Sequence, residues 1–190
     1  MINIFEKLKK IFLKIKKSKL FYDFLEILFI FIFVILPIRF YLFEPFFVKG
    51  SSMEPNYHSF DYLIVDKITY RLREPQRGEV IIFKPPFDNN VYYIKRVIGL
   101  PEEKVVIENS KVFIFNKENP NGFELKEDYL KGHYTTGKKE ITLGKDEYFV
   151  LGDNRELSSD SRQWGPLKKE RIVGRVLFHL SFKELVNKIF

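Results

Sequence analysis

The feature that most constrains this chain is the run from Leu25 to Phe43, LEILFIFIFVILPIRFYLF, in which no residue between Ile27 and Leu36 is polar. About 20 mostly apolar residues are needed to cross the hydrocarbon core of a bilayer as a helix, and this run has that length. Glu26 and Arg39 lie near its ends, where charged side chains can reach the headgroups. Pro37 is expected to kink the helix late, which membrane helices tolerate. A buried helix of a soluble core is the alternative, but it would be apolar on every side and preceded by a lysine-rich tail. A cleavable leader is a second alternative. The run is longer than a usual leader core, and bulky Phe and Tyr follow it in place of small residues. The expectation is a retained anchor over 21–43, a basic tail over 1–20 and an exported domain over 44–190.

Charge supports that division. Of the formal net charge of +7, residues 1–20 supply seven lysines against the single acid Glu6, so the remaining 170 residues are close to neutral. A nucleic-acid-binding domain carries its basic footprint on a folded face, and no nucleic-acid partner is expected. Lysines before an anchor place the N-terminus in the cytoplasm by the positive-inside rule. Ile4, Leu8, Ile11, Phe12 and Ile15 form a helical stripe that suits the inner surface of an anionic membrane, although a solvated tail fits the same residues. The chain has no Cys, and its three His (58, 133 and 179) lack ligand spacing. No metal or cofactor is therefore expected.

Beyond the anchor the periodicity changes from helical to two. Strands are expected at Tyr62–Val65, Glu79–Lys84, Val91–Val97, Lys104–Ile107, Lys111–Asn116, Glu140–Leu143, Glu147–Leu151 and Ile172–Leu180, each rich in Val, Ile, Phe or Tyr. Asn109-Ser110 has the composition of a hairpin turn. The fold class is mainly β, an antiparallel barrel or sandwich behind one N-terminal transmembrane helix. The polar stretch 117–139 reads as a surface excursion, and 182–190 permits a short terminal helix.

Three segments depart from ordinary strands and loops. Val48-Lys-Gly-Ser-Ser-Met-Glu-Pro-Asn56 has small residues at Gly50, Ser51 and Ser52, leaving room for a substrate backbone, with Pro55 stiffening the turn. Alone, it reads as a linker. In Tyr93-Ile-Lys-Arg-Val97 the alternation puts Lys95 on the face of Tyr93 and Val97. A lysine among apolar groups loses hydration, its pKa falls, and the neutral amine can act as a general base; an exposed edge-strand lysine is the plainer reading. The loop Leu151–Gly165 is dense in Asp, Asn, Arg and Ser. It reads as a loop held by side-chain hydrogen bonds and an Asp–Arg pair, which can also orient a catalytic amine.

Together the three segments resemble the bacterial type I signal peptidases, serine proteases with a Ser–Lys dyad. The matching residues are Ser52-Met53-Glu54-Pro55; then Tyr93, Lys95, Arg96, Gly99 and Pro101; then Gly152, Asp153, Asn154, Ser158, Asp160, Ser161 and Arg162. Arg77–Phe83 resembles the strand those enzymes carry between the first two segments, so the similarity runs from the anchor to about Val176. The resemblance implies Ser52 as nucleophile, Lys95 as general base, Ser158 holding the lysine amine, an Asp160–Arg162 ion pair supporting the loop, and Met53 packed near the site. It also implies cleavage of signal peptides from exported preproteins at the outer face of the bacterial cytoplasmic membrane, with membrane lipid as the other partner. Some members carry a serine two positions before the nucleophile as an oxyanion donor. Here that position is Gly50.

Ser51 is the rival nucleophile, disfavoured by alignment on Met53 and Pro55. A triad through His58 is another, with no acidic partner evident in the sequence. A soluble self-cleaving repressor would carry a DNA-binding domain in place of the anchor. A catalytically inactive, membrane-tethered relative acting as an assembly or binding module would have lost Ser52 or Lys95.

Overall fold

The structure, a computed structural model, describes Ile4, residues 6–9 and residues 19–181. Ile11, Phe12 and Ile15 of the tail stripe and the 182–190 segment lie outside the described residues. The chain forms two compact units, Met1–Leu42 and Phe43–Phe190.

In the first unit, helix α1 (Lys19–Ile30) passes through a π-helical turn (Phe31–Ile35) into α2 (Leu36–Tyr41). The Leu36 N–H reaches back five residues to Phe31 O. Pro37, which has no N–H to give, falls directly after the π turn, at the start of α2. The stretch Lys19–Arg39 has a mean hydropathy of 2.3 and none of it is buried. By length and composition it can cross a membrane, and its exposure is opposite to that of a soluble-core helix.

The second unit holds eleven strands among the described residues: β1 (Phe43–Phe47), β2 (Tyr62–Asp66), β3 (Val80–Phe83), β4 (Tyr93–Gly99), β5 (Lys104–Glu108), β6 (Lys111–Phe115), β7 (Phe123–Glu124), β8 (Lys139–Thr142), β9 (Glu147–Leu151), β10 (Leu167–Lys168) and β11 (Ile172–Leu180). One sheet has the order β1-β2-β11-β3-β4-β9-β10 and the other β7-β6-β5-β8, with every pairing antiparallel. The eight expected strands all form, two with the expected bounds and six with ends moved by one or two residues. β1 escaped the pattern because Pro45 interrupts it; at the edge of a sheet a proline removes no needed ladder bond. β7 and β10 are too short to show a period. Asn109 and Ser110, with φ of +49° and +64°, make the tight turn between β5 and β6.

Buried Ile98, Phe149 and Leu151 of the larger sheet pack against Val105, Ile107, Val112 and Ile114 of the smaller one, joining the two. A second cluster gathers Val48, Met53, Leu63, Val65, Val80, Ile82 and Ile94. The 117–139 stretch is mostly exposed, but it is not a free excursion. Leu130 and Thr135 are buried, and Glu127 pairs with the buried Arg155 at 2.6 Å.

Candidate active site

Ser52 sits in the turn between β1 and β2, and Lys95 sits in the middle of β4, opposite Ile81 of β3. The Met53 side chain, 1% exposed, anchors that turn in the second apolar cluster. The Asn56 and Tyr57 N–H groups both donate to Met53 O, at 3.1 and 3.0 Å, so the turn is wound tightly behind the serine. Gly50, at φ +94°, reverses the chain just before it; a side chain there would be strained by the backbone alone. Gly50 N–H donates to Ser59 Oγ at 2.9 Å, and Ser59 Oγ returns a bond to Gly50 O at 3.1 Å. The N–H of Gly50 is thus already engaged, and this position offers no side-chain hydroxyl.

Lys95 Nζ lies 2.7 Å from Ser52 Oγ and donates to Ile94 O at 2.8 Å. The lysine is 3% exposed, with its amine 5.4 Å from the centre of the Tyr93 ring. Burial penalises the ammonium and holds its pKa down at about 8, against the opposing pull of Asp160 and Asp153. A charged amine donates to the serine oxygen; a neutral one can accept its proton. Ser52 and Lys95 line an apolar cleft of about 700 Å³ whose walls include Phe46, Phe47, Leu63, Ile82, Tyr93 and Leu157.

The loop after β9 closes the site from behind. Asn154 N–H donates to Ser52 O at 3.1 Å. Arg96 clasps Asp153 with two bonds, Nε to Oδ1 at 2.8 Å and Nη2 to Oδ2 at 2.5 Å. Asp160 and Arg162 form the expected pair, Nε to Oδ1 and Nη2 to Oδ2, both at 2.9 Å, and Asp160 also accepts from Gly152 N–H at 3.2 Å. Ser158 is placed differently from expectation. Its hydroxyl is buried and has no hydrogen-bond partner among the described residues; the Lys95 amine is bonded to Ser52 Oγ and Ile94 O.

His58 does have an acid nearby, Asp61 at 3.9 Å from Nδ1. That acid is engaged by the His58 N–H at 2.7 Å and by His179 Nε2 at 2.6 Å, while the serine hydroxyl faces Lys95. No group of three or more His, Asp or Glu placed to hold a metal occurs among the described residues. Sequence reasoning missed Asn56, Ser59 and Tyr129. Asn56 follows the motif proline directly, a short polar residue in a tight turn and so a legible hint. Tyr129 is 73 residues away from the carboxamide that binds its carbonyl, and nothing local announces it.

The family model for signal peptidase, peptidase S26, matches residues 21–181. The chain is 38% identical over 143 residues to a probable signal peptidase I-2 of Synechocystis sp., covering 73% of this chain and 63% of that protein's length. It is 34% identical over 174 residues to a signal peptidase I of Bacillus amyloliquefaciens, covering 86% of each. A crystal structure of a signal peptidase I from Enterococcus faecalis V583 aligns with a TM-score of 0.47 at 34% identity, over 56% of this chain and 98% of that one.

Proposed function

The chain belongs to the signal peptidase S26 family, and from that premise we propose that it is a membrane-bound serine endopeptidase that removes signal peptides from exported preproteins through a Ser52–Lys95 dyad. The observation that carries this reading is the 2.7 Å separation of a buried, low-pKa amine from a serine hydroxyl, both lining one cleft. An unreactive relative has no need to keep an ammonium out of water.

In the proposed reaction the neutral Lys95 amine takes the Ser52 proton as Oγ bonds to the scissile carbonyl carbon. The oxyanion that develops needs fixed donors, and the Ser52 N–H is the first of them. Collapse breaks the C–N bond, and the Lys95 ammonium gives its proton to the leaving amine. Water, deprotonated by the same lysine, then attacks the Ser52 ester, releasing the acid and restoring the serine. Met53 fixes the turn, and the Asp160–Arg162 pair fixes the loop behind it. Ser158 supplies a hydroxyl within the same loop that can take up the amine once Ser52 is acylated.

An anchor holds such a site to the membrane in which the apolar part of a signal peptide is still embedded. The reading puts the N-terminus in the cytoplasm and residues 44–190 on the outer face of the bacterial cytoplasmic membrane, cutting after small residues. The test is cleavage of a purified preprotein in detergent by the wild type, Ser52→Ala and Lys95→Ala. Both variants are expected to be inactive, and full activity in either would remove the dyad. External protease added to intact spheroplasts should digest the catalytic domain and spare residues 1–20.

A further inference from the structure

Asn56 does more than finish a turn. Its carboxamide nitrogen donates to Asp153 Oδ2 at 2.8 Å and to Tyr129 O, also at 2.8 Å. One side chain thereby ties the nucleophile's turn to the loop after β9 and to the 117–139 stretch. Asp153 is at the same time clasped by Arg96, the immediate neighbour of Lys95 on β4. The residue after Asp153 holds the Ser52 carbonyl through its N–H. The Arg96 guanidinium lies 4.1 Å from the centre of the Tyr129 ring, so the ring is closed: Asn56 to Asp153, Asp153 to Arg96, Arg96 to Tyr129, and Tyr129 back to Asn56.

We propose that Asn56 is a positioning residue that sets the Ser52–Lys95 separation by locking the nucleophile's turn to the Asp153–Arg96 pair. The proposal rests on the dyad reading above. Ser52 and Lys95 come from segments with no ladder pairing between them, because β11 and β3 stand between β2 and β4. Their distance is therefore set by side chains and loop backbone, and Asn56 is where these links converge on the serine's own turn. A misplacement of reacting atoms by about 1 Å can cost on the order of 100-fold in rate.

Asn56 also donates to a carboxylate whose charge opposes the lowered Lys95 pKa. The charged and titratable groups around Asp153 and Lys95 are Arg96 and Tyr93 on β4, Tyr57 in the nucleophile's turn, Tyr129 from the 117–139 stretch, and Asp160 with its partner Arg162 in the loop after β9. Removing the Asn56 donor leaves the Asp153 charge less offset, so the lysine should hold its proton to higher pH.

The test compares the full-length wild type, Asn56→Ala and the isosteric Asn56→Asp in preprotein cleavage across pH, with thermal unfolding alongside, each also in an Asp153→Asn background. Expected are a fall in kcat on the order of 10- to 100-fold with KM changed little, an alkaline shift of the activity limb for Asn56→Ala, and a smaller effect once Asp153 is Asn. Wild-type kcat and pH profile in a destabilised but folded variant would overturn the proposal, as would strictly additive effects with Asp153→Asn. If neither variant folds, Asn56 is a structural residue and the positioning role is lost. Failure of the dyad is distinct, since it would appear as activity in Ser52→Ala.

Discussion

Gly152 and Ser158 approach so closely that an alanine methyl at 152 would overlap the Ser158 hydroxyl and the Ser52 carbonyl oxygen. The loop after β9 can lie against the Ser52 backbone only because residue 152 has no side chain. Gly152→Ala should therefore push the loop off Ser52 and lower kcat by ~100-fold or more, with secondary structure retained by circular dichroism. Preprotein cleavage with near wild-type kcat in a folded Gly152→Ala enzyme would contradict that packing argument.

The acid limb of activity should report Lys95. Only the neutral amine can take the serine proton, so kcat/KM should climb with pH and level off above about 8, the value to which burial holds this lysine. Asp160 is one of the two carboxylates that oppose the depression. Asp160→Asn should move the limb to lower pH while reducing loop stability, and a pH–rate series on the two proteins measures both.

The same burial has a thermodynamic cost. An ordinary lysine titrates near 10.5 and this one near 8, so between those values the unfolded chain binds more protons and stability rises with pH. Below pH 8 the penalty is fully present. Replacing the amine by a thioether of similar size, Lys95→Met, should abolish activity yet raise stability at pH 7 by roughly 1–3 kcal/mol. The gain should shrink to nothing above about pH 10.5, as followed by denaturant titration at several pH values.

Arg162 answers a carboxylate that water cannot reach. The Asp160 side chain is fully buried and Arg162 only partly so. Arg162→Ala would leave that charge without its ion partner, for which a loss of about 3–5 kcal/mol is expected. Asp160→Asn in the same chain should recover part of the loss, and urea unfolding of the single and double variants reads the coupling.

The sheet strands were legible because Val, Ile, Phe and Tyr alternate through them, and the Asn109-Ser110 turn was legible because both are turn residues and Asn tolerates positive φ. The candidate site was legible as three segments of unusual chemistry, but their meeting was not. The Ser52–Lys95 contact joins residues 43 apart, and the Asn56–Asp153 bond joins residues 97 apart; no local pattern encodes such distances. Ser158 shows another limit. A sequence can supply a hydroxyl in the right loop, but not show that it packs against a glycine six residues earlier and is buried without a hydrogen-bond partner among the described residues.

The strand order carries a consequence for how the molecule comes into being. β11, the last described strand, lies between β2 and β3, so it separates the half-sheet that presents Ser52 from the half that carries Lys95. Synthesis delivers the nucleophile's hairpin first and the base next, but the strand that bridges them only when residue 180 has been made. Pairing across such a sequence separation is slow. Until it occurs the nascent chain holds a serine and a lysine that are not yet a pair. The meeting of Ser52 with Lys95 is thus tied to the closing of the whole sheet rather than to either segment alone.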